Sequence, residues 1–214
     1  VGLNQIDIIA PGCHDTASAV AAVPASGKNW AYLSSGTWSL VGVEIKEPII
    51  NENSLNLNFT NEGGVDNTIR FLRNAMGLWL LEGVKNSWSK KGKNYSYDAI
   101  IHMVTAIDKY CLQHQISKPE TEGEMARTIF ESLALKYRWI IDKINLLREE
   151  PIEKLYIVGG GSQNELLNQF TANATGLPVY AGPVEATGLG SIMLMGIAKG
   201  IISSITEGRE LIAD

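Results

Sequence analysis

Along the chain, the hydrophobic positions fall into short β-branched runs and longer stripes of period three to four. Ile6–Ala10 is short and apolar and is followed by Pro11-Gly12, which predicts a buried strand ending in a turn. The small residues Ala17-Ser18-Ala19-Val20-Ala21-Ala22-Val23 predict a helix from Thr16, stopped by Pro24. His14, Asp15 and Thr16 then stand at its mouth, where the free N–H groups of a first turn attract an anion. Trp30–Ser34 and Thr37–Glu44 predict two strands joined by a tight hairpin at Ser35-Gly36. Residues 46–62, with five Asn between Asn51 and Asn61, read as loop or edge structure.

Gly63-Gly64 opens a stretch expected to be helical to about Ser87, because Ile69, Leu72, Met76, Trp79, Leu80 and Val84 recur at spacings of three and four. Tyr97–Leu112 reads as an amphipathic helix. Glu122–Leu147 reads as a long one, with Met125, Ile129, Leu133, Trp139, Ile140 and Ile144 on or near its apolar face. Leu155–Val158 is a fully apolar strand broken by Gly159-Gly160-Gly161. A helix over Asn164–Thr175, a strand over Leu177–Tyr180 and a helix from about Glu185 to Lys199 follow. Strands first, then helices, then strand–helix–strand–helix predict an α/β fold with one mixed sheet covered by helices. The last part is a parallel crossover unit, which places ligands at the carboxyl ends of its strands.

The chain has 214 residues, the size of one large domain or two small ones, with 45% hydrophobic and 19% charged residues. That composition excludes a disordered or collagenous chain. Apolar runs such as Ile192–Met195 fall far short of the roughly 18–20 residues a membrane span needs. Eighteen basic against 23 acidic residues give a net charge of −5, which leaves no excess cation for a nucleic-acid backbone. The two cysteines, Cys13 and Cys111, form neither a disulfide framework nor a zinc pattern, and the chain reads as cytoplasmic. It begins at Val1 rather than Met, and an apolar stretch follows almost at once, so it reads as a piece of a longer polypeptide.

Three loops could carry chemistry. Asp15, after a strand and at a helix start, is either an N-cap or a carboxylate free to take a proton from a substrate hydroxyl. Ser34-Ser35-Gly36-Thr37-Trp38 is either a plain hairpin or a turn presenting N–H and hydroxyl donors to phosphates. Gly159-Gly160-Gly161 carries more glycine than a turn requires, and would let backbone approach a flat or anionic ligand. The P-loop pattern and G-x-G-x-x-G are absent, as is any zinc or Ser-His-Asp spacing, so no metal ligands are assigned. His102 and His114 read as helix-surface residues.

The order of these loops carries a resemblance. G-C-H-D-T-A-S-A-V-A-A-V-P-A (12–25), Y-L-S-S-G-T-W-S-L-V-G-V-E (32–44), N-E-G-G (61–64), R-N-A-M-G-L-W-L-L (73–81), V-G-G-G-S-Q-N-E-L-L-N-Q-F (158–170) and A-G-P-V-E-A-T-G-L-G (181–190) closely resemble the rhamnulokinase branch of the FGGY carbohydrate kinases. The likeness covers nearly the whole chain, and the region after about Ile201 adds nothing to it. It implies a ribonuclease-H-like domain of the actin/hexokinase-like ATPase superfamily, with residues 1–214 as the C-terminal, nucleotide-binding one of two domains. It further implies transfer of the γ-phosphoryl group of ATP to O1 of L-rhamnulose, with Mg²⁺, in rhamnose catabolism. The partner would be the N-terminal domain of the same polypeptide, absent here.

By the same resemblance Asp15 is the catalytic base, with His14, Asp15, Thr16 and Asn74 at the sugar. Gly36, Thr37, Gly160 and Gly161 would contact the nucleotide. Glu82 stands where the family carries a nucleotide-contacting Gln, and an acid is unfavourable beside phosphates. Alternatives are a kinase for another ketose such as L-fuculose, or a non-catalytic nucleotide-binding module of the same fold. This chain alone is expected to fold but not to phosphorylate sugar.

Overall fold

The computed structural model describes residues 7–12, 14–79 and 111–213. Its centre is a six-stranded sheet in the order β3-β4-β2-β1-β5-β6. The strands are β1 (Trp30–Ser35), β2 (Trp38–Ile45), β3 (Thr60–Gly63), β4 (Ile69–Met76), β5 (Lys154–Val158) and β6 (Val179–Ala181). β1 pairs antiparallel with β2, as do β2 with β4 and β3 with β4, whereas β1–β5 and β5–β6 are parallel. The helices are α1 (Asp15–Ala21), α2 (Glu52–Asn56), α3 (Glu122–Leu147), α4 (Glu165–Thr175), α5 (Ala186–Ala198) and α6 (Ile205–Ala213).

Side chains alternate across each strand, so the sheet separates two cores. On one face Ala31, Leu33, Val41, Val43, Phe71, Leu155 and Ile157 pack against the apolar stripe of α3, from Met125 through Ile129, Leu133 and Ile140 to Ile144. On the other face Trp30, Tyr32, Leu72, Tyr156 and Val158 pack against Ala19, Val20, Ala22 and Val23 of the α1 region. α3 spans the residues that its periodicity marks out. It begins in a capping box, in which Thr121 accepts from the Glu124 N–H and Glu124 accepts from that of Thr121. α4 starts at the Asn164 cap, whose Oδ1 accepts from the Leu167 N–H at 3.0 Å.

Three expectations change. The stretch opened by Gly63-Gly64 is not helical where it is described; its core is the strand β4. Phe71 buries against the α3 side and Leu72 against the α1 side, while the backbone bonds to β2 and β3. A strand buried on both faces shows no clean alternation, so a three–four spacing can arise within it by chance. Residues 46–62, read as loop or edge, hold the short helix α2 as well as the edge strand β3. Asp7–Ala10, the described part of the expected first strand, has no regular structure; Ile8 is exposed, and no described strand pairs with it. Ile205–Ala213, for which no element was expected, forms the helix α6. Of the helix expected over Tyr97–Leu112, only Cys111 and Leu112 are described, and both are helical.

α6 is held by Arg209. Its guanidinium donates to the carbonyls of Ala21 (3.1 Å) and Val20 (3.2 Å) at the end of α1, and to Glu44 Oε2 (2.9 Å) on β2. It also lies 5.1 Å from the centre of the Trp30 ring. Both partners of the ion pair are nearly buried, at 13% and 12% exposure. Arg209→Ala therefore strands the Glu44 carboxylate, and is expected to lower stability by about 3–5 kcal/mol, the usual loss when one partner of a buried pair is removed. Urea denaturation of the chain measures this; a midpoint equal to the unaltered chain's would show the clamp to be inert.

Candidate functional site

The strand register puts Val158, Ser34, Leu40 and Asn74 opposite one another across β5, β1, β2 and β4. This row lies at the carboxyl ends of the parallel strands β1 and β5, where three loops meet. The α1 start comes from one side, the β1–β2 turn from the sheet, and the Gly159–Gly160 bend and the start of α5 from the other. Between them is an open cavity of about 670 Å³. Of the residues singled out in the sequence, His14, Asp15, Thr16, Gly36, Asn74 and Gly160 all line it. Glu82 lies outside the described residues.

Two expected nucleotide contacts are not on the wall. Thr37 is exposed on the turn beside the cavity, and its carbonyl accepts from the Trp79 N–H at 3.3 Å. Gly161 is buried with its α-carbon against β1, where an added Cβ would lie 2.1 Å from Ser35 Oγ and 2.9 Å from the Ser35 carbonyl oxygen. Gly160, by contrast, has nothing within 4 Å of where a Cβ would project. Gly161→Ala is therefore expected to cost about 1–3 kcal/mol of stability through overpacking. Gly160→Ala should leave the urea midpoint nearly unchanged and act on ligand binding alone. Equal losses of stability in the two variants would refute this division.

The cap of α1 is His14, whose side chain accepts from the Thr16 N–H at 3.3 Å. Asp15 is the first helical residue. Its Oδ1 accepts from the same N–H at 2.8 Å and lies 3.1 Å from His14 Nδ1, and its side chain is 74% exposed at the cavity mouth. Behind this pair lies Arg70, almost fully buried at 1% exposure. Its Nη1 donates to Thr16 Oγ1 at 2.8 Å, its Nε to the Gly63 carbonyl at 3.1 Å, and its Nη2 pairs with Glu62 Oε2 at 3.0 Å. Tyr32 sits beneath it, fully buried, and burial pushes its phenol well above the ordinary range, so it stays neutral.

Sequence reading assigned no role to Arg70 behind the wall, or to Glu62, Glu185 and Thr187 on it. The usable signal was a charge inside the apolar run Ile69-Arg70-Phe71-Leu72. A helical reading hides it, because on a helix a lone Arg turns outward. Trp38 is 58% exposed at the rim, an aromatic face left on the cavity edge.

The sequence model of the FGGY family of carbohydrate kinases, C-terminal domain, matches residues 31–109 and 94–199. The chain belongs to this family. Among curated FGGY relatives, a rhamnulokinase of Bacteroides thetaiotaomicron is 45% identical over 236 aligned residues, covering 99% of this chain and 48% of that protein. A rhamnulokinase of Bacillus subtilis is 39% identical, covering 98% of this chain and 48% of its own length. The chain thus spans about half the length of the curated relatives it matches. Among solved structures, xylulose kinase from Rhodospirillum rubrum superimposes with a TM-score of 0.66 at 13% identity, covering 92% of this chain and 43% of that one. Plasmodium falciparum glycerol kinase with ADP gives 0.63 at 14% identity, covering 92% and 44%. The fold is that of the sugar kinases of the actin/hexokinase-like superfamily, and no helix among the described residues is long and apolar enough to cross a membrane.

Among the described residues, no three His, Cys, Asp or Glu side chains converge as a metal cage. The cavity instead offers separate hard-oxygen groups, the carboxylates of Asp15 and Glu185 and the hydroxyls of Ser34 and Thr187, while Glu62 is paired with Arg70. That donor set fits Mg²⁺ in its usual setting, where phosphate oxygens and waters fill most positions and one or two carboxylates complete them.

Proposed function

We propose that this chain is the C-terminal half of an ATP-dependent ketose kinase that phosphorylates L-rhamnulose at O1. The observation that carries this reading is the meeting of Asp15, His14, Thr16 and Asn74 with the Gly159–Gly160 bend on one cavity at the carboxyl ends of β1 and β5. Phosphoryl transfer is chiefly positioning and charge stabilisation, and this wall offers both in separate places.

On one side Asp15 takes the proton of the acceptor hydroxyl as its oxygen attacks the γ-phosphorus. The bond from that phosphorus to the bridging oxygen breaks, and ADP leaves with the electron pair. Asn74 and His14 orient the sugar. On the other side Gly160 lets the nucleotide lie against bare backbone, and Gly36 offers a turn to the phosphates. The start of α5, capped by no described side chain, adds free N–H groups. Bound Mg²⁺ would neutralise phosphate charge, with the Glu185 carboxylate within the donor set available to it.

The sugar is assigned from the relatives named rhamnulokinase, and the missing part of the site belongs to the further half that those relatives carry. The test is a coupled ADP-release assay with ATP, Mg²⁺ and a panel of ketoses. It is run on a polypeptide that includes both halves and on the 214-residue chain alone. L-rhamnulose should be turned over fastest by the longer protein, and the chain alone should fall below about 1 s⁻¹, the lower end of ordinary enzyme turnover. Preference for L-fuculose would reassign the sugar. No ketose turnover by the longer protein would leave a nucleotide-binding module, and ordinary turnover by the chain alone would refute the half-site reading.

A further inference from the structure

Besides Asp15 and Glu185, the cavity wall carries a third carboxylate, and the transfer step makes no use of it. Glu62, on the edge strand β3, lines the cavity together with His14, Asp15, Thr16 and Asn74. Its side chain is held at both oxygens. Oε2 pairs with Nη2 of the buried Arg70 at 3.0 Å, and Oε1 accepts from the Thr60 hydroxyl at 3.3 Å. Thr60 and Glu62 stand two apart on β3 and so share one of its faces, and the register sets them opposite Leu72 and Arg70. Asn74 lies on that same face of β4, two positions beyond Leu72.

Stability alone is a poor reason for this pair. Taking a guanidinium out of water is costly, and apolar side chains of the same volume often serve the interior as well or better. What the pair does is hold a charged acceptor in one place. Glu62 keeps 32% of its side chain exposed, against 2% for Arg70, so the carboxylate is the open end. An ionised carboxylate offers about four acceptor sites, more than Arg70 and Thr60 use, and the rest face the cavity. Sheet order decides what they face. β5, which leads into the Gly159–Gly160 bend, lies four strands from β3, about 19 Å at the usual spacing. The start of α1 is the near neighbour. Arg70 Nη1 donates to Thr16 Oγ1 at 2.8 Å, so a single guanidinium links Glu62 to the residue beside Asp15.

We infer that Glu62 contacts the sugar and sets acceptor specificity, its carboxylate accepting from a ketose hydroxyl other than the one phosphorylated. The inference rests on the kinase reading for the class of ligand. The reacting hydroxyl gives its proton to Asp15, so Glu62 takes a bond from a different one. That bond is charge-assisted and directional. A ketose lacking the hydroxyl, or carrying it inverted, leaves the carboxylate without a donor once water is displaced, and is rejected for that reason.

The test is a cycle in the protein carrying both halves. Calorimetric titration without ATP measures the affinity of the ketose that binds best, expected to be L-rhamnulose, and of analogues each lacking one hydroxyl other than O1. In the unaltered protein one analogue should bind about 10–100-fold more weakly than its parent, the worth of a hydrogen bond to a charged group. Glu62→Gln keeps an oxygen for Arg70 and removes the charge. It should weaken the parent ketose by about tenfold or more. The penalty of that one analogue should then fall to about twofold, the scatter between independent sites, while the other penalties stay. The ATP KM should not change. A structural role would instead weaken every ketose equally; that result, or an unchanged affinity for the parent, would overturn the inference. If Glu62→Gln fails to fold, Glu62→Asp keeps the charge and withdraws it by one methylene. The same selective loss is expected from it, and uniform losses would again overturn the inference.

The two readings fail separately. Ketose binding with this pattern but no ADP release would refute the kinase reading and leave the role of Glu62 standing. Phosphorylation with an unchanged analogue pattern in Glu62→Gln would overturn that role and leave the kinase reading. An unaltered longer protein that binds no ketose would refute both.

Discussion

Asp15→Asn in the protein carrying both halves should reduce kcat about 10²–10⁴-fold, the usual contribution of a positioned general base. The structure makes this substitution a clean one. His14, not Asp15, caps α1, and Asp15 Oδ1 accepts from the Thr16 N–H at 2.8 Å, as an Asn side-chain oxygen also can, and lies 3.1 Å from His14 Nδ1. With its side chain 74% exposed, there is no buried charge whose loss would alter folding. Shape and helix start are kept and only the basicity goes. ATP affinity, which the proposed reading places around Gly160 on the far side of the cavity, should change little. Near-normal turnover of Asp15→Asn would reduce Asp15 to a helix-start residue, and an equal loss of ATP affinity would mean that the two sides of the cavity are not separate.

Gly190→Ala should damage both fold and site, although Gly190 does not line the cavity. It lies in α5, where that helix crosses α1 backbone against backbone. A Cβ there would sit 1.8 Å from the Ser18 carbonyl oxygen and 2.6 Å from its carbon. No rotamer relieves a clash with main chain, so the two helices must part. Overpacking of this kind costs about 3 kcal/mol, the upper end for an added methyl. Ser18 is one turn from Asp15 on α1, so parting the helices also moves the proposed base. A displacement of about 1 Å at reacting groups can cost about 10²-fold in rate. Gly188→Ala on the same helix is the control: nothing lies within 4 Å of its Cβ. It should be neutral, or stabilise by up to about 1 kcal/mol through helix propensity. Urea midpoints and kcat for the two variants decide the matter, and indistinguishable behaviour would rule out the close crossing.

Local patterns alone identified several elements. The Glu122–Leu147 helix carries its stripe over seven turns, and the hairpin Trp30–Ser35/Trp38–Ile45 has β-branched and aromatic residues around Ser35-Gly36. In these segments the period of burial is written in neighbouring residues. The loops at Asp15, Gly36 and Gly160 were legible too, because loop chemistry depends on residue type and position in the chain. Their resemblance to one kinase branch supplied roles that no spacing could. Whether Asp15 was cap or base, the local sequence left open.

Other features depended on contacts distant in sequence. β4 is a strand because β2 and β3 lie on either side of it, and its Ile69, Leu72 and Met76 spacing mimics a helix. α6 gains its role from Arg209 reaching back to Ala21 and Glu44. Gly161 is a packing glycine, and Gly160 the open one, only because Ser35 of β1 lies beside the first. Arg70 meets Thr16 across 54 positions of chain, and only the fold puts that guanidinium behind the start of α1. The sequence determined which side chains were available to the site. Register and packing decided which of them touch, because hydrogen bonds form over about 3 Å, a distance that only the folded chain sets.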